Sequence, residues 1–349
     1  MHLRSSLVVF VFLCVVIPQP AWTGTCRVDE EESDARWRLH LSQDCTDQER
    51  RSRAVPAAQI LERIKRGKSV DLARVVVKDD LRFDDLVLRP LPDDLAAQAS
   101  EYGERIRSVS GALSLTDSTI QGAVRHGPGA TFLMIAGPVT LSGTRFEQAV
   151  DLSQCLFLQP VTLSGAVWFR EAYFVKARFR GGLIAEKTAF GPHTRFHRAR
   201  FHGPAAFRQA RFTGLAEFLE VEFEQGADFS GTSFALGTGF SGSRFRGPVD
   251  FSGAQFAREA FFTFTVFEGD ASFKGATFHS VADFDDAQFQ GRDDFSRALF
   301  EGESRFVRVK RSQEGPGAIE WNSPQVQYAV TLLLLVFSAV LLAYLIRSR

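Results

Sequence analysis

A solenoid of short repeated units is the fold class this sequence predicts, and three observations point to it. The 349 residues contain 34 Phe against 4 Trp and 4 Tyr, so one structural slot is being refilled many times. From Leu141 to Phe306 the large apolar residues recur with gaps of 5, 6, 5, 6: Leu141, Phe146, Leu152, Phe157, Leu163, Trp168, Phe174, Phe179 and onward. The series has 31 positions, 26 of them Phe, with Leu141, Leu152, Leu163, Trp168 and Ala185 as exceptions. The third observation is a small residue two places before each, such as Ala199 before Phe201 and Val221 before Phe223. That slot is Ala, Val, Thr, Ser or Cys at 29 of the 31 positions, Leu183 and Asp293 being the others. Neither a helical period of 3.6 nor a strand period of 2 produces this pattern.

Segments such as Ala199-Arg200-Phe201-His202-Gly203 and Ala227-Asp228-Phe229-Ser230-Gly231 resemble the pentapeptide-repeat family, whose unit is a small residue, a polar one, a central Leu or Phe and two more. The resemblance covers about half of the chain. It implies an all-β solenoid, a right-handed quadrilateral β-helix with one unit on each face. The extra residue in alternate units departs from the family pattern and predicts a loosened corner. Four units then sum to 22 residues, so Leu141 to Phe306 makes 165/22, or 7.5 coils, roughly 36 Å tall at about 4.8 Å per coil. Cys155 occupies a small slot and reads as buried packing. Leu183 accompanies Ala185, the one marked position without a large side chain, so the bulk has shifted within that run.

The flanking segments follow in order. Residues 1–23 read as a signal peptide: Arg4, then the apolar run Leu7 to Ile17, then Pro18, Pro20 and the small residues Ala21 and Thr23. Residues 24–69 form a charged N-terminal segment with a short capping helix from Ala57 to Arg66, carrying Ile60, Leu61 and Ile64 on one side and Gly67 as its stop. Residues 70–140 hold an early coil (Leu72, Val77, Phe83 and Leu88, with Val70 and Val75 in small slots). An inserted helix follows, Pro92 to Ile106, with Leu95, Ala99, Tyr102 and Ile106 on one face; the register from Val109 to Ile135 is ambiguous. Residues 141–307 are the regular β-helix and 308–326 a linker marked by Gly315-Pro316-Gly317. Residues 327–346 read as a transmembrane helix and 347–349 as a cytoplasmic tail: Tyr328 to Ile346 is 19 residues without a charge, about 28 Å of helix. Trp321, Tyr328 and Tyr344 lie at interfacial depth, and Arg347 and Arg349 end the run. Together the two ends predict a single-pass membrane protein whose β-helix is extracytoplasmic, although Arg308, Lys310 and Arg311 lie against the positive-inside rule. Cys26 and Cys45 are available to pair in an oxidising compartment.

Function belongs to the outward slots, because the inward ones are taken by packing. With 41 basic and 41 acidic residues, the total charge gives no argument for a nucleic-acid partner. Residues 22 apart stack in columns: Arg180, His202, Glu224, Arg246, Glu268, Gln290, and beside it Arg178, Arg200, Glu222, Arg244. These read as self-complementary charge ladders. A third column, Asp228, Asp250, Ser272 and Asp294, is a weak candidate for Ca²⁺, which wants six or more oxygens that a flat column does not supply. His193, His197 and His202 are close in sequence, but His197 and His202 fall on adjacent faces, so zinc is not expected. No phosphate-binding Gly-rich loop, nucleophile elbow or HExxH helix occurs. Charge is segregated along the rod: Arg170 to Arg211 has ten basic residues against two acidic, and Glu217 to Phe306 seven against sixteen. Arg195, Arg198, Arg200 and Arg211 of this basic collar are the expected partner surface.

The leading functional expectation is a membrane-anchored, extracytoplasmic scaffold or protein-interaction module without catalysis. No cofactor, small-molecule substrate or nucleic acid is expected. Two other classes compete. A DNA mimic that protects topoisomerases, which the family resemblance suggests, needs a cytoplasmic address and a strongly negative surface. A β-helix enzyme acting on polysaccharide needs a carboxylate groove built by long loops, and the tight 5/6 spacing leaves none after Leu141.

Overall fold

The computed structural model describes residues 25–91, 105–126 and 132–312. Strand pairs recur every 22 residues: Phe201 lies beside Phe179 and Phe223, and Ala227 beside Ala205 and Val249. Four sheets of 12, 11, 10 and 11 strands result, one on each side of a rod. We number them faces 1 to 4 in chain order. In one coil they are Ala205–Ala206, Arg211–Phe212, Leu215–Glu217 and Glu222–Phe223. Each rung bonds to the coil above and the coil below, so Phe229 donates its amide to Asp250 and Phe251 donates to Ser272, both at 2.7 Å. The coil itself serves as the crossover that parallel strands require.

The bore is filled by the marked residues. Phe201 stacks on Phe223 at 4.9 Å between centroids and 3° between planes, and Phe223 stacks on Phe245 at 4.7 Å and 2°. Rings of neighbouring columns meet edge to face, as Phe218 meets Phe229 at 5.4 Å and 90°. Both geometries suit the aromatic quadrupole. The rings reach across the bore, so the slot two places before each is filled mostly by small residues such as Ala199, Thr232, Ser243 and Val249. Leu183 and Ala185 are both fully buried, and the larger residue in the small slot compensates for the missing ring. Cys155 is fully buried too, and burial pushes its thiol well above the ordinary range.

Two kinds of corner alternate. Five-residue gaps close with a hydrogen-bonded turn, such as Ala199 N–H to the Phe196 carbonyl at 2.8 Å. The third turn residue is left-handed, and one recurs every 11 positions: Gly143, Gln154, Gly165, Lys176 and so on to Arg308. Six-residue gaps are looser in length but crowded between coils. A Cβ on Gly269 would sit 2.5 Å from the carbonyl carbon of Gly247, and one on Gly291 would sit 2.5 Å from that of Gly269. Glycine is needed there because the backbones of successive corners touch.

The N-terminal end departs from expectation. The segment read as charged and irregular contains an antiparallel hairpin, β1 (Val28–Glu32) and β2 (Arg36–Leu41). Strand β2 then pairs in parallel with Ser69–Ala73 and so starts face 1. All five residues of β1 are exposed, which is why no alternation betrayed it. Helix α1 (Asp47–Ser52) is held by a capping box between Thr46 and Glu49. Helix α2 (Ala57–Lys65) lays Ile60, Leu61 and Ile64 onto the first coils. In the early coil Leu81 and Phe83 are buried, but Leu88 is only half-buried and Leu86 takes its place. The fourth side is supplied later in the chain by Arg105–Val109. Ile106 is therefore on a strand, not on an inserted helix, because it pairs with Phe132 and is buried beside Phe132 and Leu156. Leu95, Ala99 and Tyr102 lie outside the described residues. The ambiguous stretch forms a regular coil through Leu113–Thr116, Thr119–Ile120, Val124–Arg125 and Phe132–Ile135.

At the other end the rod extends past the expected linker boundary. Lys310–Arg311 pairs with Gln288–Phe289. Val309 packs on the core in the small slot, and the Arg311 guanidinium lies 5.6 Å from the Phe289 ring, closing the column with a cation–π contact. The apolar runs at both termini lie outside the described residues. Among the described residues, no helix is long and apolar enough to cross a membrane.

Candidate interaction surface

Every outward slot can now be assigned to a face and a height. On face 1, Asp228, Asp250 and Asp294 line an open trough with Pro248, Asp270 and Arg292. Their carboxylates mostly turn back onto the backbone. Asp228 accepts from the Ser230 amide (2.8 Å) and hydroxyl (2.6 Å), Asp250 from the Ser252 amide (2.7 Å) and Asp294 from the Ser296 amide (2.8 Å). Arg208 adds an ion pair to Asp228 at 2.8 Å. Burial pushes the Asp228 carboxyl up, but Ser230 and Arg208 outweigh it and leave it below the usual range. The Ser296 hydroxyl and amide lower Asp294 in the same way. Each Asp thus serves to shape its own corner. Among the described residues, no group of three His, Cys, Asp or Glu is placed to hold a metal ion.

The three histidines are not brought together. Each meets a glutamate of the next coil: His193 with Glu217 at 3.2 Å, His197 with Glu220 at 3.9 Å and His202 with Glu224 at 2.9 Å. On face 4 the charge columns cross-link coils as ladders: Arg200 to Glu222 at 3.4 Å, Arg246 to Glu222, and Arg244 to Glu268 at 2.5 Å. Above them Arg178 stacks on Arg200, and burial together with Arg200 and Arg180 pulls its guanidinium below the ordinary value. Pairs this exposed contribute a few tenths of a kcal/mol each.

The expected basic partner surface is largely neutralised within the rod. Arg195 bonds Glu217 at 2.6 Å, Arg198 bonds Glu220 at 2.8 Å and Arg200 meets Glu222. Arg211 stands exposed on face 2 between Ala189 and Ser233. The disulfide Cys26–Cys45 ties the start of the hairpin to the segment before α1.

Sequence reasoning missed an apolar patch on face 3. Leu215, Leu236, Phe261 and Phe264 are exposed by 43, 43, 40 and 63 %. They occupy three successive coils around Gly237 and Gly239, with Leu236 and Phe264 at the corners flanking the face 3 strands Thr238–Gly239 and Ala260–Phe261; Leu219 leans over the glycines, 2.9 Å from where a Cβ on Gly239 would be. A signal was present: between Leu141 and Phe306, Phe169, Phe261 and Phe264 are the phenylalanines that fall outside the 5/6 series. Phe169 is covered on one side by the Arg145 guanidinium at 4.8 Å.

A family model of pentapeptide repeats, nine copies long, matches residues 141–199, 192–233, 229–276 and 262–310. No curated protein and no solved structure matches the chain.

Proposed function

Residues 141–310 of this chain belong to the pentapeptide-repeat family, and from that premise we propose that the protein is a non-catalytic scaffold, anchored in a membrane, whose rod binds a protein partner outside the cytoplasm. The observation that carries this reading is the filled bore. From Phe190 to Phe306 an aromatic ring fills every inward large slot in stacked columns, and Leu152, Leu163 and Ala185 fill the exceptions before it, so only the outer faces are available to act. The trough on face 1 is wide and open to solvent, whereas catalysis normally needs a concave, partly desolvated site. Ionic groups on the faces pair between neighbouring coils and do not converge on one point.

The address rests on the two terminal apolar runs and is supported by the Cys26–Cys45 disulfide, since such bonds persist in oxidising compartments. A reporter fused after Phe306 tests it. Alkaline phosphatase, which needs export, should be active there, and a cytoplasm-only reporter should be silent. Activity of the cytoplasm-only reporter would overturn the placement.

A further inference from the structure

We propose that the N-terminal end of the rod binds a phosphate group, free or as a small monoester, in a hollow between the end of α2 and the first strand of face 4. The inference depends neither on the scaffold reading nor on the address. The hollow has a volume of about 270 Å³, just below the range of pockets for drug-sized ligands. It suits a small anion or a short ester. Its polar lining is Lys65, Arg66, Arg89, Ser108 and Ser110, with Gly67 beside them, and among the described residues no carboxylate lines it. Ile64 and Leu86, both buried, supply an apolar wall.

Unpaired positive charge sets this place apart from the rod around it. Neighbouring arginines meet carboxylates: Arg63 with Glu32, Arg82 with Asp84 and Arg125 with Asp80. Lys65 pairs with Glu62 at 3.1 Å. Arg66 and Arg89 are exposed and have no ion-pair partner among the described residues. Two guanidinium groups lining one hollow repel each other, and an anion between them relieves that.

The backbone adds a donor. On face 4 each coil donates amides to the coil before it: Ala136 to the Val109 carbonyl at 2.8 Å, Leu158 to Ile135 at 3.0 Å and Arg180 to Phe157 at 2.9 Å. Ser110 holds the same position one coil earlier, since Val109 is the register partner of Ile135. No coil precedes it there, because Arg89–Pro90 pairs only with Ile106 and Arg105. The Ser110 amide therefore faces the open end, where the hollow lies. The hydroxyls of Ser108 and Ser110 have no partner among the described residues either. Two guanidinium forks, two hydroxyls and an amide around one hollow suit a tetrahedral anion with oxygens on every side. The C-terminal dipole of α2 opposes an anion. Its last carbonyls are bonded, however: Glu62 by the Arg66 amide at 3.3 Å, Arg63 by Lys68 at 3.0 Å and Ile64 by Gly67 at 2.9 Å.

Isothermal titration calorimetry of the full chain at constant ionic strength tests the proposal. Inorganic phosphate and glycerol 3-phosphate are titrated separately. At least one should bind saturably with one site per chain, and the tighter of the two tells a free ion from an ester. Arg66→Gln with Arg89→Gln should weaken that binding at least tenfold while the β-sheet circular dichroism stays intact. Arg82→Gln, an exposed arginine outside the lining, should leave it within twofold. A second comparison needs no arginine removed. Gly67 has φ +76 and open space around an added Cβ, a conformation that Asn and Asp tolerate. Gly67→Asp should bind at least tenfold more weakly than Gly67→Asn, because the two differ only in charge. No saturable binding of either probe, an equal loss in Arg82→Gln, or equal binding by the Gly67→Asp and Gly67→Asn chains would overturn the proposal.

Discussion

Phe229→Ala probes the ring-filled bore. Phe229 is fully buried. It stacks on Phe207 and Phe251, each at 4.9 Å, and meets Phe218, Phe240 and Phe223 edge-on at 5.4, 5.3 and 6.0 Å. Truncating a buried Phe costs about 3–5 kcal/mol from lost transfer and cavity terms. Five ring contacts, each worth about 0.5–1.5 kcal/mol beyond area, place this site at the upper end. Relaxation is limited, because the coils above and below are fixed by backbone bonds on four faces. The position also lies well inside the rod. A solenoid's stability is a sum of unit and neighbour terms, so weakening one interior coil uncouples the two ends. Urea unfolding followed by circular dichroism should lose roughly 5 kcal/mol and a single transition should become two. Ala257→Ser, exposed beside the buried Phe256, should change stability by less than about 0.5 kcal/mol. Equal losses in the two variants would refute the packing argument.

Other outcomes follow from single positions. Gly269→Ala pushes a methyl against the Gly247 backbone and should cost about 1–3 kcal/mol by denaturant midpoint, in the range of overpacking. Arg297 is exposed with φ +60, so Arg297→Gly should stabilise by up to about 1 kcal/mol; a loss of stability would show that its side chain matters. The Asp228 carboxyl is lowered in the folded rod. Its contribution is present above the unfolded value and is lost as pH falls through the folded one. Asp228→Asn should therefore flatten the acid side of the stability–pH curve without moving the plateau's shape at neutral pH.

The core was legible because two slots repeat without interruption from Val139 and Leu141 onward. A one-residue error anywhere would have broken the 5/6 series, so the register to Phe306 was over-determined. The edges were not legible for physical reasons. Strand β1 (Val28–Glu32) lies at the margin of face 1 and has no buried side, so it carries no periodicity. Ile106 looked helical because its apolar neighbours Leu95, Ala99 and Tyr102 happened to be three or four apart, whereas pairing with Phe132 decided its conformation. Arg311 was read as linker because a cation in a core slot breaks the pattern; at an open end it can lie over Phe289. The surface was least legible. The collar arginines were visible as charge, but their glutamates lie 22 residues away and meet them only after coiling. Phe261 and Phe264 were hidden among so many phenylalanines until the bore was seen to exclude them.

All of this rests on a coil of 22 residues rather than the 20 of four plain five-residue units. A disulfide between engineered cysteines measures it most directly. Ser233 and Gln255 are register partners on face 2, at the separation a disulfide bridges. Ser233→Cys with Gln255→Cys should oxidise to a closed loop without loss of the β-sheet spectrum, and Ser233→Cys with Gly253→Cys should remain reduced. Closure of the 20-residue pair, with the 22-residue pair left open, would contradict the account.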